Sequence, residues 1–232
     1  MSIQVGLTPE KPCSYLPDQK DRLMVVMEDA CHTTNHYRQL MDLGFRRSGN
    51  MIYRPHCSEC QACQPIRVDT AQFSPSRSQK RLMKKSQALR VEMKTVLDTD
   101  WYPLYAHYIT QRHRNGSMYP PKKTDFEQFV SSDWMSLGYM HVYDQDKLVA
   151  IAVCDLFHDA ISALYTFFDP DLPFSIGKVL ILNQIKYAKL HNLPWLYLGF
   201  QIDECKAMNY KIQFQPYQRL INGAWQSANS TS

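Results

Sequence analysis

The chain has 232 residues, of which 44% are hydrophobic and 21% are charged, and its formal net charge is +4. This composition excludes disordered, collagen-like and low-complexity classes, and the length predicts one large domain or two modest domains. No apolar run approaches the roughly 18 residues of a membrane helix, and residues 1–10 lack a secretion signal. We therefore expect a soluble cytoplasmic protein without a membrane partner.

Hydrophobic periodicity and turn residues predict the elements of the first half of the chain. In order, these are an arm at 1–10, a loop at 11–20, a strand at 23–27, a helical segment at 30–44, a hairpin at 45–55, a loop at 57–63 and a strand at 64–69. A basic segment follows from residue 77, with an extended stretch at 91–97.

The second half begins with helices at 101–114 and 126–134 and then changes to paired strands. The further elements are an antiparallel meander at 140–143, 147–156 and 161–168, a helix from Ser175 to about His191, a strand at 195–200 and a short helix at 203–211. A meander followed by a strand, helix, strand crossover is typical of the acetyltransferase-like (GNAT) fold. We predict an α+β protein with a smaller Cys-containing α+β domain at 1–95 and a GNAT-like domain at 96–232.

Nearly all excess positive charge lies between Arg77 and Lys94, where seven cations oppose one acid and leave +6, while the rest of the chain carries −2. Five of these cations recur at helical spacings of three and four, which predicts one basic helix face: Arg77, Lys80, Arg81, Lys84 and Lys85. Such a face fits a phosphate backbone. A solvated surface helix is the alternative interpretation.

Three of the seven cysteines, Cys57, Cys60 and Cys63, lie within one short loop, and the odd count argues against a secreted disulfide framework. Thiolates on such turns bind structural zinc or iron–sulfur clusters. Cys13 and His56 are candidate fourth ligands, and a set of reduced thiols without metal is the alternative.

Three groups of residues together resemble a known family. These are Tyr53–Val68 with its Cys loop, Phe73–Arg81 with the motif FxPSRSQxR, and Tyr197–Phe200 followed by CKxMxYKxxFxP at Cys205–Pro216. They look like the bacterial aspartate/glutamate leucyltransferases, relatives of the arginyl-tRNA–protein transferases, over nearly the whole chain.

The resemblance implies transfer of leucine from leucyl-tRNA to the N-terminal amine of proteins that begin with Asp or Glu, which marks them for degradation. It also explains why the helix at Ser175 lacks a glycine-rich phosphate loop, since the donor is tRNA. In the arginyl relatives a second thiol stands where this chain has Leu16, and an adjacent Cys pair replaces the present loop. Their metal site therefore does not transfer directly to this chain.

An aminoacyl ester is already activated, so the reaction needs no cofactor and mainly requires positioned reactants and a stabilised oxyanion. We assign no catalytic residue, and Cys205 is interpreted as structural. Backbone N–H groups between the strands at 161–168 and 195–200 are candidate oxyanion donors. The acceptor carboxylate requires a cation, and the candidates are Arg54, Arg67, Lys206 and Lys211.

Three other functions remain as alternatives. An arginyl-tRNA–protein transferase would share the motifs, because no motif identifies the amino-acid pocket. An acyl-CoA-dependent N-acetyltransferase would share the fold but would need the phosphate loop that this chain lacks. A non-catalytic RNA-binding protein would use the Cys loop and the basic helix and would leave the C-terminal half without a role.

Overall fold

A computed structural model describes residues 3–227, in which the chain forms two compact units. Unit 1 comprises Met1–Asp69, Ser132–Met135 and Tyr197–Ser232, and unit 2 comprises Thr70–Ser131 and Ser136–Leu196. The α-helices are α1 (Thr34–Asp42), α2 (Arg77–Lys85), α3 (Trp101–Arg112), α4 (Lys123–Val130) and α5 (Ile176–Leu190). No helix in this range is both long and apolar enough to cross a membrane.

Fourteen strands run through the described residues. The first seven are β1 (Val5–Leu7), β2 (Lys11–Pro12), β3 (Lys20–Asp21), β4 (Leu23–Val26), β5 (Arg46–Ser48), β6 (Met51–Pro55) and β7 (Gln64–Asp69). The others are β8 (Arg90–Lys94), β9 (Leu137–Asp144), β10 (Lys147–Leu156), β11 (Ala160–Phe168), β12 (Trp195–Gln201), β13 (Tyr217–Ile221) and β14 (Ala224–Ser227). Helices and strands alternate irregularly, so the chain is of the predicted α+β class.

Unit 1 contains an antiparallel sheet in the order β1-β4-β6-β5 and a second group of neighbouring strands, β14-β13-β7-β12. Helix α1 is capped at its start by the Thr33 side chain, which accepts a hydrogen bond from the His36 amide. The chain leaves the helix through Gly44, whose φ of +88° favours glycine. A Cβ at this position would lie 2.9 Å from Leu220 Cδ2, so a side chain here would displace Leu220.

Unit 2 is built on the antiparallel strands β8-β9-β10-β11, of which β9, β10 and β11 form the predicted meander. Aromatic rings of α3 and α4 pack on this sheet, with Phe126 fully buried between Trp101, Tyr105 and Phe167 at centroid distances of 4.7, 4.8 and 5.3 Å. Helix α5 then connects β11 to β12, whose first two residues belong to this unit.

The predicted elements are confirmed from the strand at Leu23 to β12, with helix ends moved by a few residues. The arm at 1–10 is wrong, because Val5–Leu7 pairs with β4. The short helix at 203–211 is also wrong, and a 3-10 helix at Asn209–Gln213 replaces it. Asp203 cannot cap a helix because its carboxylate accepts hydrogen bonds from Gln201 and Arg219.

The two compact units follow a different division from the predicted boundary near residue 95. The C-terminal strand β13 pairs with β7, so the end of the chain returns to the N-terminal segment. The sequence analysis missed the hairpin of β13 and β14. Its turn is Asn222-Gly223, at φ of 51° and 78°, and an Asn-Gly pair is a strong hairpin signal that was available.

Candidate functional site

The Cys loop connects β6 to β7, and Cys13, in the segment between β2 and β3, lies beside it. All four thiols, on Cys13, Cys57, Cys60 and Cys63, belong to half-buried residues. Burial raises the pKa of the Cys63 thiol to about 12, and the neighbouring Cys57, Cys13 and Cys60 thiols contribute to this rise. The structure thus brings together the four predicted candidates, while the fifth, His56, is exposed.

The thiols fit a metal in number and chemistry but not in spacing. Four thiolates around zinc at about 2.3 Å place the sulfurs about 3.8 Å apart. Among the residues described, no three of these sulfurs lie within 4.8 Å of one another. That criterion selects only His107, Asp169 and Asp171, but Asp169 is already paired with Lys147 at 2.8 Å.

Helix α2 places the five predicted cations on its surface. The helix begins with a capping box, in which Ser76 and Gln79 bond each other's backbone amides, and Gln79 is buried. Arg77, Lys80, Arg81, Lys84 and Lys85 are all exposed, and within residues 3–227 none of them forms an ion pair. Their charge is therefore available to a partner from solution.

The four predicted acceptor cations have very different surroundings. Lys206 is exposed. Arg54 donates to the Leu43 carbonyl at 3.1 Å and lies 5.0 Å from the centre of the Phe45 ring. Lys211 is buried. Arg67 is held by side chains of unit 1, so the structure does not gather the four into one cluster.

Arg67 belongs to a hydrogen-bonded network centred on Asp42. Its Nη1 lies 3.2 Å from Asp42 Oδ1 and 3.1 Å from the Tyr197 hydroxyl, which itself donates to Asp42 at 2.6 Å. Arg38 pairs with the other Asp42 oxygen at 2.9 Å. Arg67 also donates twice to Gln218 Oε1, at 2.9 and 2.7 Å. Because Arg67 is already paired with the Asp42 carboxylate, it is poorly placed to bind the carboxylate of an acceptor.

The sequence analysis missed Arg46, the first residue of β5. Its guanidinium lies 5.2 Å from the centre of the Tyr197 ring and 5.7 Å from that of Phe200. The residue is buried, and burial lowers the pKa of its side chain. Two consecutive arginines, Arg46 and Arg47, in a short hairpin strand were the available signal, since one of them must face the interior.

A cavity of about 360 Å³ lies in unit 1, and its lining includes Arg54 but not Arg46, Arg67 or Lys211. The Cys loop contributes Cys57, Cys60 and Cys63, β6 contributes Arg54, and β12 contributes Phe200. Gly199 precedes Phe200 with φ of +76°, a conformation that side chains rarely adopt within a strand. The cavity thus combines thiols, an arginine and an irregular strand, which is the mixed lining of a small-ligand site.

Comparisons with known proteins give one consistent family. The descriptions "Arginine-tRNA-protein transferase, N terminus" and "Arginine-tRNA-protein transferase, C terminus" match residues 11–81 and 100–221. A protein of Vibrio campbellii named aspartate/glutamate leucyltransferase is 51% identical over 97% of both chains. A protein of the same name from Aeromonas hydrophila is 42% identical over 98% of this chain and 96% of its own.

Similarity to solved structures is weak. "The structure of L-PGS from Bacillus licheniformis" has a TM-score of 0.46 at 10% identity and covers 73% of this chain and 51% of that chain. Neither fold nor function is inferred from a likeness at this level.

Proposed function

The chain belongs to the aspartate/glutamate leucyltransferase family, and from this premise we propose that it transfers leucine from leucyl-tRNA to the N-terminal α-amine of proteins beginning with Asp or Glu. The new N-terminal leucine marks the acceptor for proteolysis. Similarity to named leucyltransferases over almost the full length of the chain carries the proposal. Both substrates are cytoplasmic, so we expect the reaction there and without a membrane partner.

The transfer is an aminolysis of an ester. The acceptor's neutral α-amine attacks the leucyl carbonyl, the new peptide bond forms, and the ester C–O bond breaks. The tRNA's terminal oxygen leaves with a proton, and the amine gives up one proton. An α-amine has a pKa near 8 and is partly neutral at cytoplasmic pH, so it can attack directly. Positioning the two reactants can lower the reaction barrier by about 7–11 kcal/mol, and no protein nucleophile is then required.

We infer that unit 2 provides a GNAT-like framework for this chemistry. Its antiparallel meander is followed by α5 and β12, which is the element order of such folds. Backbone N–H groups of this unit are the proposed oxyanion donors. Cys205 is not proposed as a nucleophile, because within residues 3–227 its thiol forms no hydrogen bond with a histidine.

The exposed cations of α2 are the proposed tRNA contact. They are exposed, form no ion pair with any described residue and lie on one short helix, which suits contacts with successive phosphates. Phosphate contacts of this kind orient the tRNA and carry little sequence information. The amino acid on the tRNA is therefore recognised elsewhere.

We propose that the four thiols form a structural zinc or iron–sulfur site whose sulfurs draw together when the metal binds. The chemistry of transfer does not require this metal. Elemental analysis of anaerobically purified protein should give close to one equivalent of zinc, or iron with sulfide, and a chelator should lower the melting temperature. Metal-free protein with the same melting temperature and four titratable thiols in these positions would exclude the site.

Incubation of the full chain with radiolabelled leucyl-tRNA and a peptide that begins with Asp tests the proposed function. Labelled leucine should appear at the peptide N-terminus. Arginyl-tRNA and acetyl-CoA in parallel reactions test the two other donor classes, and a peptide with an acetylated N-terminus controls for the acceptor amine. Transfer from arginyl-tRNA alone, or from acetyl-CoA alone, would contradict the proposal.

A further inference from the structure

Two buried cations of unit 1, Arg46 and Lys211, have no ion-pair partner among the described residues. Only 6% and 7% of their surfaces are exposed, which is unusual for charged side chains. Each acts electrostatically on the other, since Arg46 contributes to the lowered pKa of Lys211. Two like charges thus share one interior region.

Arg46 keeps one edge of its guanidinium without a partner. Its Nη1 donates to the backbone carbonyls of Phe45 at 2.6 Å and Met41 at 3.5 Å. Its Nε and Nη2 are buried and have no hydrogen-bond partner in the described structure. These two nitrogens form the edge of arginine that matches both oxygens of one carboxylate.

Within the part of the chain that the structure describes, Lys211 likewise has only neutral partners. Its ammonium donates to the Phe200 carbonyl and lies 3.6 Å from the Met208 sulfur. Burial and, to a smaller extent, Arg46 lower the pKa of this ammonium to about 8, and the Cys205 and Cys63 thiols oppose the change. A carboxylate beside it would restore a normal lysine pKa.

The neighbouring arginines give an internal contrast. Arg38 and Arg67 share the Asp42 carboxylate at 2.9 and 3.2 Å. Asp42 therefore has little left for Arg46, on which it acts only as a minor electrostatic influence and without an ion pair. Burying a cation without an anion is costly, so retention of two such cations points to an anion that arrives with a ligand.

The cavity of unit 1 lies beside this pair of cations, although neither of them belongs to its lining. Phe200 borders the cavity, its carbonyl accepts from Lys211, and its ring lies under Arg46. Cys63 also borders the cavity and is close enough to act on the Lys211 charge. The volume of about 360 Å³ lies within the range of small-ligand sites.

We propose that Arg46 and Lys211 form the subsite for the side-chain carboxylate of the acceptor's N-terminal residue. Arg46 binds both oxygens with its free edge, and Lys211 supplies a second positive charge. The inference rests on the proposed function for the identity of the acceptor. A tRNA phosphate is the other anion that could bind here, but the exposed cations of α2 suit a polyanion better than a buried pair.

The test compares two peptides that differ only in an N-terminal Asp or Asn. Equilibrium binding and leucine transfer are measured for both peptides with the wild-type chain, Arg46→Met, Lys211→Met and the control Lys122→Met, an exposed lysine of unit 2. Both peptides are assayed with the same preparation of each protein. The ratio of the Asp-peptide value to the Asn-peptide value therefore does not depend on the fraction of folded protein. Arg46→Lys keeps the charge but removes the two-point edge.

Wild-type protein and Lys122→Met should prefer the Asp peptide, and Arg46→Met and Lys211→Met should each reduce that preference on the order of 100-fold. The Asp-to-Asn preference of Arg46→Lys should lie between those of the wild type and Arg46→Met. The affinity for leucyl-tRNA should be unchanged in all of these variants. An unchanged Asp-to-Asn ratio in both variants would overturn the subsite, and so would a selective loss of tRNA affinity. Preferential binding of the Asp peptide without any leucine transfer would instead refute the proposed function and leave the subsite standing.

Discussion

The two groups of cations in this protein differ in one property, their access to water. The five on α2 are exposed, whereas Arg46 and Lys211 are buried in unit 1. Solvated charges are inexpensive to keep, they are screened by salt, and they act together on a polyanion. Buried charges destabilise the empty protein and discriminate strongly between a charged and a neutral ligand. The number of positive charges alone therefore does not identify the partner that a group of cations binds.

The largest effect is expected from charge reversal on α2. Changing Lys80, Arg81, Lys84 and Lys85 together to Glu should weaken leucyl-tRNA binding by about 100-fold or more at low salt. The slope of log K against log salt should also fall by close to one unit per lost phosphate contact. Binding measured between about 50 and 200 mM salt gives both quantities.

Lys122→Glu is the matched control for α2, because this exposed lysine lies just before α4 and contributes no charge to α2. The salt slope of Lys122→Glu should equal that of the wild type. The melting temperatures of Lys122→Glu and of the quadruple α2 variant should both equal that of the wild type. An unchanged slope in the quadruple variant would remove α2 from the tRNA interface.

The next largest effect is a gain in stability, whereas most core mutations lower the free energy of unfolding. Lys211→Met should raise the free energy of unfolding at pH 7 by about 1–3 kcal/mol, because it removes a buried charge while keeping a side chain of similar length. Loss of acceptor discrimination would accompany the gain in stability, as expected for a functional site. Chemical denaturation of both proteins measures the difference.

The pH dependence of this gain follows from the lowered pKa. Between pH 8 and 10.5 the unfolded chain holds a proton on Lys211 that the folded chain has lost, so wild-type stability rises with pH across this window. The advantage of Lys211→Met should therefore be full below pH 8 and should disappear by about pH 10.5. A difference that stays constant with pH would mean that Lys211 is not charged and buried at neutral pH.

A smaller effect of opposite sign is expected at Asp42. Asp42→Asn removes the carboxylate shared by Arg38 and Arg67 and should lower the free energy of unfolding by about 1–2 kcal/mol. The loss is moderate because the Asp42 side chain is 44% exposed and water screens the pair. Denaturation at low and high salt checks this, and a gain in stability would show that these arginines are not held by Asp42.

The sequence by itself determined the local elements and the family. Periodicity located the meander, α3 and α5, because the apolar pattern of each element is contained within it. The basic face of α2 was also readable, since residues three and four apart on a helix are neighbours whatever surrounds them. The missed β13 and β14 were a partial exception, because their Asn-Gly turn was present in the sequence.

The tertiary structure decided which cation has an anion. Arg67 and Lys211 both belong to family motifs, but Arg67 pairs with Asp42, which lies 25 residues away. Among the described residues, the Lys211 ammonium contacts only the Phe200 carbonyl and the Met208 sulfur. Arg46 lies in no family motif, and only the folded structure places its guanidinium over the rings of Tyr197 and Phe200. Burial and ion pairing depend on groups distant in sequence, so no local pattern contains them, and these two properties distinguish the proposed acceptor subsite from its surroundings.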